Sequence, residues 1–234
     1  MTAVYLIRHG QASFGQENYD QLSDLGHQQS IRLGQALNHR AVQFDAVYLG
    51  SMLRHKQTAE NCLTQFGVTF GESNSTVDAG WNEYDHQDVL RQFRPEFSTA
   101  KSMMEFIGKQ DNPKRAFEDD FNAAVERWIS GAHDGDYVES WDEFCARVKM
   151  SFEATLKASA DKNNVAVFTS GGPISLVSQA LLGVPQQKIM KMNWTLVNCG
   201  VTKIVATGSR HFLSSLNEHT HFEGTDKKHL ITYS

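Results

Sequence analysis

Three short segments of this 234-residue chain hold residue types able to act on a phosphate group. The first is Arg8-His9-Gly10. A neutral imidazole nitrogen can attack phosphorus, an arginine fork can hold two phosphoryl oxygens, and glycine admits close backbone approach. Taken alone, the same tripeptide also suits a core histidine beside a salt-bridging arginine. The second is Ser51-Met-Leu-Arg54-His-Lys-Gln57-Thr58-Ala59. Ser51 can cap a helix whose first turn then carries Arg54, where free N–H groups and the helix dipole favour an anion. A solvated amphipathic helix accounts for that segment equally well. The third, Thr169-Ser170-Gly171-Gly172-Pro173, can present N–H groups to a phosphate. An ordinary strand-to-helix turn has the same look.

These segments need a scaffold, and the hydrophobic pattern supplies one. Residues 3–7 form a continuous apolar run, as in a strand buried on both faces of a parallel sheet. A polar loop over 10–21 leads to a helix capped by Ser23 and running toward Asn38, with Ile31, Leu33 and Leu37 facing inward. A strand at 44–49 precedes a helix over 52–66, and short strands are expected at 68–70 and 76–79. Residues 85–136 break the alternation. Their Arg91, Phe93, Pro95, Met103, Met104, Phe106, Pro113, Phe117 and Trp128 suggest irregular helices forming a cap-like insertion over one end of the sheet. A helix over 140–160 follows, with Trp141, Phe144, Val148, Phe152 and Leu156 along one face. Then come a strand at 165–169, the loop 170–172, a helix opened by Pro173, and strands at 201–206 and 212–216. The expected fold is a single α/β domain over 1–234, a three-layer sandwich with a mostly parallel sheet and helices on both faces. Ligands of such sheets bind beyond the carboxyl ends of the strands, where all three segments fall.

Together the segments resemble the histidine phosphatase superfamily, the phosphoglycerate mutase-like family. Val4-Tyr-Leu-Ile-Arg8-His9-Gly10 matches its opening strand and tripeptide, and Leu22-Ser23-Asp-Leu-Gly26-His-Gln28 its helix-opening pattern. Ser51 to Ala59 matches the segment with the second phosphate arginine, and Trp81-Asn82-Glu83 the turn with the acidic residue. The resemblance implies catalysis by His9, the phosphoryl acceptor, and Glu83, the acid and then base. It implies phosphate binding by Arg8, Arg54, Ser170 and Gly171. Asp85 is the fallback acid, and neither metal nor cofactor is expected. A carboxyl group shielded by a cap could have the raised pKa an acid needs.

Two positions depart from the family pattern. Ser170 stands where a second histidine normally precedes the paired glycines, and none lies between Asn163 and Pro173. A neutral hydroxyl is a shorter and weaker donor than an imidazolium, and losing one such donor typically costs about 3 kcal/mol. The N–H groups of the loop, a water held by Ser170, or a histidine from elsewhere could compensate. Gly15 stands where an asparagine is usual, leaving Gln11, Ser13, Gln16 and Asn18 as polar alternatives.

Composition excludes several other classes. The net charge is -5 with no Lys/Arg run, which argues against a nucleic-acid or anionic-membrane partner. No apolar stretch approaches a bilayer span, and the start of the chain does not read as a signal peptide. Cys62, Cys145 and Cys199 have no paired spacing, which suggests a reducing compartment, the cytoplasm by default. His219, His221 and His229 read as solvated tail histidines, not as a metal site. The leading reading is a phosphomonoesterase acting through a phosphohistidine on a small phosphorylated metabolite. The alternatives are a phosphoglycerate mutase, for which Arg91, Arg94, Lys101, Lys114 and Arg115 would have to hold a second anion, and a phosphate-binding pseudoenzyme weakened at Ser170.

Overall fold

The computed structural model describes residues 1–13, 20–67, 71, 75–224 and 226–233. Strand β1 (Thr2–Arg8) carries Val4 and Leu6 on one face and Tyr5 and Ile7 on the other, all buried, as its unbroken apolar run requires. Helix α1 (Asp24–His39) follows, then β2 (Ala46–Leu49), α2 (Leu53–Thr64) and the short β3 (Thr76–Val77). After three further helices come α6 (Trp141–Ala158), β4 (Asn164–Thr169), α7 (Gly171–Leu182), α8 (Ile189–Asn193), β5 (Val201–Thr207) and β6 (Arg210–Glu218). The strands form one sheet in the order β3-β2-β4-β1-β5-β6. Pairings β3-β2, β2-β4 and β4-β1 are parallel, whereas β1-β5 and β5-β6 are antiparallel. The fold is thus mixed α/β with the parallel part at the strands that lead into the three segments. The pairings Arg8↔Thr169 and Leu49↔Phe168 set the carboxyl ends of β1, β4 and β2 side by side.

The described residues fall into two compact units, Met1–Glu83 with Val148–Ser234, and Tyr84–Arg147. In the first, one sheet face packs Tyr5, Ile7, Val47, Leu49, Ala166 and Phe168 against Leu33, Leu37, Cys62 and Leu63 of α1 and α2. On the opposite face Ser159, directly after α6, donates through Oγ to the Tyr48 hydroxyl at 3.3 Å. Truncating one of the large core side chains here would cost about 3–5 kcal/mol. The second unit is helical, with α3 (His86–Phe93), α4 (Ala100–Ile107) and α5 (Pro113–Ile129). Their starts are regular: Asp85 caps α3, a Thr99/Ser102 capping box opens α4, and Asn112 with Pro113 opens α5. Tyr84, Trp128, Trp141 and Phe144 form its aromatic centre, with ring centroids 4.8 Å apart for Tyr84–Trp128 and 5.1 Å for Trp128–Trp141.

Several local expectations differ from the structure. Ile31 is 36% exposed, because the inward arc of α1 is filled by Gln29, Ser30, Leu33, Gly34 and Leu37. Ser51 does not cap α2. The helix starts at Leu53, whose N–H donates to Asp20 Oδ2 at 2.8 Å, and Ser51 pairs instead with Asn82. Gly171, not Pro173, begins α7, which leaves Pro173 in the first turn where its missing N–H is harmless. The strand expected at 68–70 lies outside the described residues. No helix among the described residues is long and apolar enough to cross a membrane.

Candidate active site

His9 follows β1 directly, and its backbone is held from two sides, by the end of β4 and by the loop before β5. Its N–H donates to the Thr169 carbonyl at 2.9 Å, and its carbonyl accepts from Asn198 Nδ2 at 3.1 Å. Cys199 N–H donates to the Arg8 and His9 carbonyls at 3.1 and 3.3 Å. That contact holds Cys199 at φ 57°, a left-handed conformation costing a non-glycine residue about 1 kcal/mol. The His9 ring is buried, with Nδ1 2.7 Å from the Gly10 carbonyl oxygen. A carbonyl only accepts, so Nδ1 carries the proton and Nε2 keeps its lone pair. Burial first, then Arg54, Arg8 and His55, hold the pKa of His9 well below 6.5, against a smaller opposing effect from Gly10. The result is a neutral imidazole, tautomerically fixed, between two guanidinium groups.

Arg8 Nη1 donates to the Leu196 carbonyl and, at 2.9 Å, to that of Tyr233 near the end of the chain. Arg54 is 5% exposed and pairs with Asp20, Nη1 to Oδ1, at 2.8 Å. Asp20 therefore aims Arg54 and caps the start of α2 with one carboxylate. Thr58, one turn further along α2, donates to the Arg54 carbonyl at 2.7 Å and accepts from Gly10 N–H at 3.0 Å. Gly10 leaves no room for a side chain as the loop stands: a Cβ there would lie 2.5 Å from the Gly26 carbonyl oxygen.

Glu83 is positioned by the two residues before it. Trp81 is fully buried, and its Nε1 donates to Thr155 Oγ1 at 3.3 Å. Asn82 grips Ser51, accepting from its N–H at 2.7 Å and donating to its Oγ at 2.8 Å. Glu83 Oε2 then accepts from Gly172 N–H at 3.1 Å, in the first turn of α7. Gly171 opens that turn, where a Cβ would fall 2.3 Å from Asn193 Oδ1 and 3.7 Å from Arg8 Nε.

The structure places Ser170 elsewhere than on an open phosphate surface. It has no exposed surface, and its Oγ lies 2.7 Å from His55 Nε2. His55, also fully buried, stands 5.8 Å from His9 between ring centroids. Burial and then Arg54 depress its pKa well below 6.5. Gly50 makes room for it, since a Cβ there would be 2.3 Å from His55 Nδ1. Sequence reasoning thus brought Arg8, His9, Arg54, Glu83, Ser170 and Gly171 to one place, but passed over His55, Thr58, Asp20 and Asn198. The fallback acid Asp85 is engaged otherwise, its carboxylate accepting from Gln87 and Asp88 N–H at 3.0 Å. Gln11 Oε1 accepts from Ser23 Oγ and Ser13 Oγ donates to the Leu22 carbonyl, whereas Gly15, Gln16 and Asn18 lie outside the described residues. His221 is not a solvated tail histidine: it is 6% exposed, its ring tilted against that of Phe222 at 4.1 Å between centroids, with its pKa pushed down to about 4 by burial.

The chain matches the model of the histidine phosphatase superfamily (branch 1) over residues 4–219. A 2,3-bisphosphoglycerate-dependent phosphoglycerate mutase from Bartonella tribocorum is 30% identical over 92 residues, 37% of this chain and 44% of that protein. The match thus spans less than half the length of that curated relative. Among solved structures, a phosphoglycerate mutase from Bacillus anthracis str. Sterne is 17% identical with a TM-score of 0.64, over 94% of both chains. A phosphoserine phosphatase from Entamoeba histolytica, in complex with 3-phosphoglyceric acid, is 21% identical with a TM-score of 0.62, over 94% of this chain and 99% of that one. Both share this chain's fold. With a match that runs from β1 to beyond β6 and takes in Arg8-His9-Gly10, Arg54, Glu83 and the α7 turn, the chain belongs to the histidine phosphatase superfamily.

Proposed function

We propose that the protein is a phosphomonoesterase that hydrolyses a small phosphorylated metabolite through a phosphohistidine on His9. The observation that carries this reading is the state of His9: neutral, with Nδ1 engaged by Gly10, and flanked by Arg8 and Arg54. Such an imidazole can attack phosphorus with Nε2 without first losing a proton. In the first step the Nε2–P bond forms as the ester P–O bond breaks, and Glu83 gives its proton to the departing oxygen. In the second, Glu83 takes a proton from water as water attacks the phosphohistidine, releasing phosphate and restoring His9. Arg8 and Arg54 hold the phosphoryl oxygens in both steps, and the Gly171 N–H at the start of α7 adds a neutral donor.

Hydrolysis is favoured over phosphoryl transfer between two ends of a substrate because two of the cations such a transfer would need are engaged within their own helical unit: Arg91 pairs with Asp88 at 2.5 Å and Arg94 with Asp120 at 2.7 Å, whereas Arg115, Lys101 and Lys114 are exposed, with carboxylates no closer than 3.7 Å. The reading treats 1–234 as one domain carrying the insertion of about 85–136 and places the protein in the cytoplasm, supported by three free cysteines. The test is an acid-free quench after mixing with a labelled phosphate ester. Label is expected on His9, with turnover abolished in His9→Ala; undiminished turnover in that variant overturns the mechanism.

A further inference from the structure

The α7 turn contains a competition that His55 decides. Ser170 is the N-cap residue of α7, with Gly171, Gly172 and Pro173 as the first three helical residues. An N-cap serine ordinarily turns its oxygen onto the N–H of the second or third helical residue. Here the third is proline, which has no N–H, so Gly172 offers the one donor open to a Ser170 cap. That donor is held at 3.1 Å by the Glu83 carboxylate, and Ser170 makes no side-chain cap bond. Its hydroxyl lies instead 2.7 Å from His55 Nε2.

We propose that His55 is a positioning residue for Glu83: by holding the Ser170 oxygen turned toward the imidazole it leaves the Gly172 N–H to the Glu83 carboxylate. Without His55, nothing holds the fully buried Ser170 oxygen away from the end of α7, and its lone pairs accept the Gly172 N–H as those of an N-cap serine ordinarily do. Ser170 then caps α7, and Glu83 loses its bond from the Gly172 N–H. A single histidine on α2 thereby sets the acid from the far side of the turn, without meeting the substrate itself. The proposal explains why a serine is tolerable in this position: its hydroxyl, left to itself, would work against the acid, and the neighbouring helix supplies the imidazole that restrains it.

The inference rests on the reading of Glu83 as general acid, and the test separates the two. His55→Leu, close to the imidazole in size, and His55→Ala are compared with the parent and with each variant combined with Ser170→Ala. The first readout is the Gly172 amide peak in a 1H–15N spectrum, which in the parent should shift with the ionisation of Glu83 and in Glu83→Gln should not. His55→Leu or His55→Ala should abolish that coupling, and adding Ser170→Ala should restore it, because no hydroxyl remains to compete. The second readout is kcat on alkyl and aryl phosphates. The His55 variants should lose about 10-fold or more on alkyl esters beyond any loss on aryl esters, with KM little changed, and the double variants should recover most of that difference. A role in packing alone predicts the reverse, with the double variants worse than the single ones. A Gly172 peak that still follows Glu83 in both His55 variants overturns the proposal whatever the kinetics show. A peak that uncouples and recovers, with an unaltered alkyl-to-aryl ratio, upholds the positioning and overturns Glu83 as the acid.

Discussion

Replacing Gly10 by alanine tests how far the nucleophile depends on the close seat of its loop against α1. A Cβ on Gly10 would lie 2.5 Å from the Gly26 carbonyl oxygen and 2.9 Å from Ser30 Oγ, where ordinary contact begins at about 3.4 Å. Loop and helix must therefore part by about 0.9 Å. Helix α1 is poorly placed to yield. Leu33 and Leu37 anchor it in the core, and Ser30 Oγ donates to that same Gly26 carbonyl at 2.7 Å. The loop must move, and His9 moves with it, because its Nδ1 is bonded to the Gly10 carbonyl. A displacement of about 1 Å at a reacting atom costs about 10²-fold in rate, and the strain about 1–3 kcal/mol in stability. The assay is kcat/KM on an aryl phosphate, whose leaving group needs little protonation, so that the loss reports on His9 and not on Glu83. Gly135→Ala serves as the control, since a Cβ there meets nothing within 4 Å and should alter stability by less than about 0.5 kcal/mol. If Gly10→Ala keeps kcat/KM within about threefold of the parent, the reasoning from loop position to catalysis is refuted.

Glu83→Gln retains an oxygen for the Gly172 N–H but cannot donate a proton as an acid, so it should lose about 10²-fold on alkyl phosphates and far less on aryl ones. Equal losses on both would mean that Glu83 serves structure. Burial holds the pKa of His221 at about 4 against 6.5 in the unfolded chain, so as pH falls the unfolded state takes up the proton first, and stability present above pH 6.5 declines by up to about 3 kcal/mol down to pH 4. Urea unfolding of the parent and His221→Gln at pH 7.5 and 4.5 measures this, and parallel losses in the two proteins would remove His221 from the account.

The fold was legible wherever local pattern and burial agree. Residues 3–7 of β1 and 165–168 of β4 are apolar without a break because both faces of each strand are covered. Helix α6 declared its inner face through Trp141, Phe144, Val148 and Phe152, spaced three or four apart and all buried. Ile31 misled because periodicity gives a face only to within about one residue, and polar Gln29 and Ser30 compete for the inner arc. They win it through long-range bonds: Gln29 Nε2 donates to the Leu230 carbonyl and to Thr232 Oγ1, each at 2.8 Å. Partners two hundred positions away leave no trace in local spacing. The same is true of the start of α2, where Ser51 has the right type for a cap but Asp20 and Asn82 between them assign it another task.

The candidate site was readable as a set of residue types and unreadable as a set of partners. Arg54, His55 and Thr58 occupy positions i, i+1 and i+4 of α2, one arc of the helix, and all three are buried beside Ala59, Cys62 and Leu63. Three polar side chains on the inward arc of a short helix are a signal in themselves, since each must find a buried partner or carry an unmet desolvation cost of about 1–3 kcal/mol. That much could be inferred without coordinates, and it would have singled out His55 together with Arg54. What spacing cannot give is the assignment: Arg54 to Asp20, Thr58 to Gly10, and His55 to Ser170, across 34, 48 and 115 positions. The substitution at Ser170 looks like the loss of a donor only while position 170 is considered by itself. With His55 at 2.7 Å the imidazole and the hydroxyl form one unit, and the effect of changing either depends on whether the other is present.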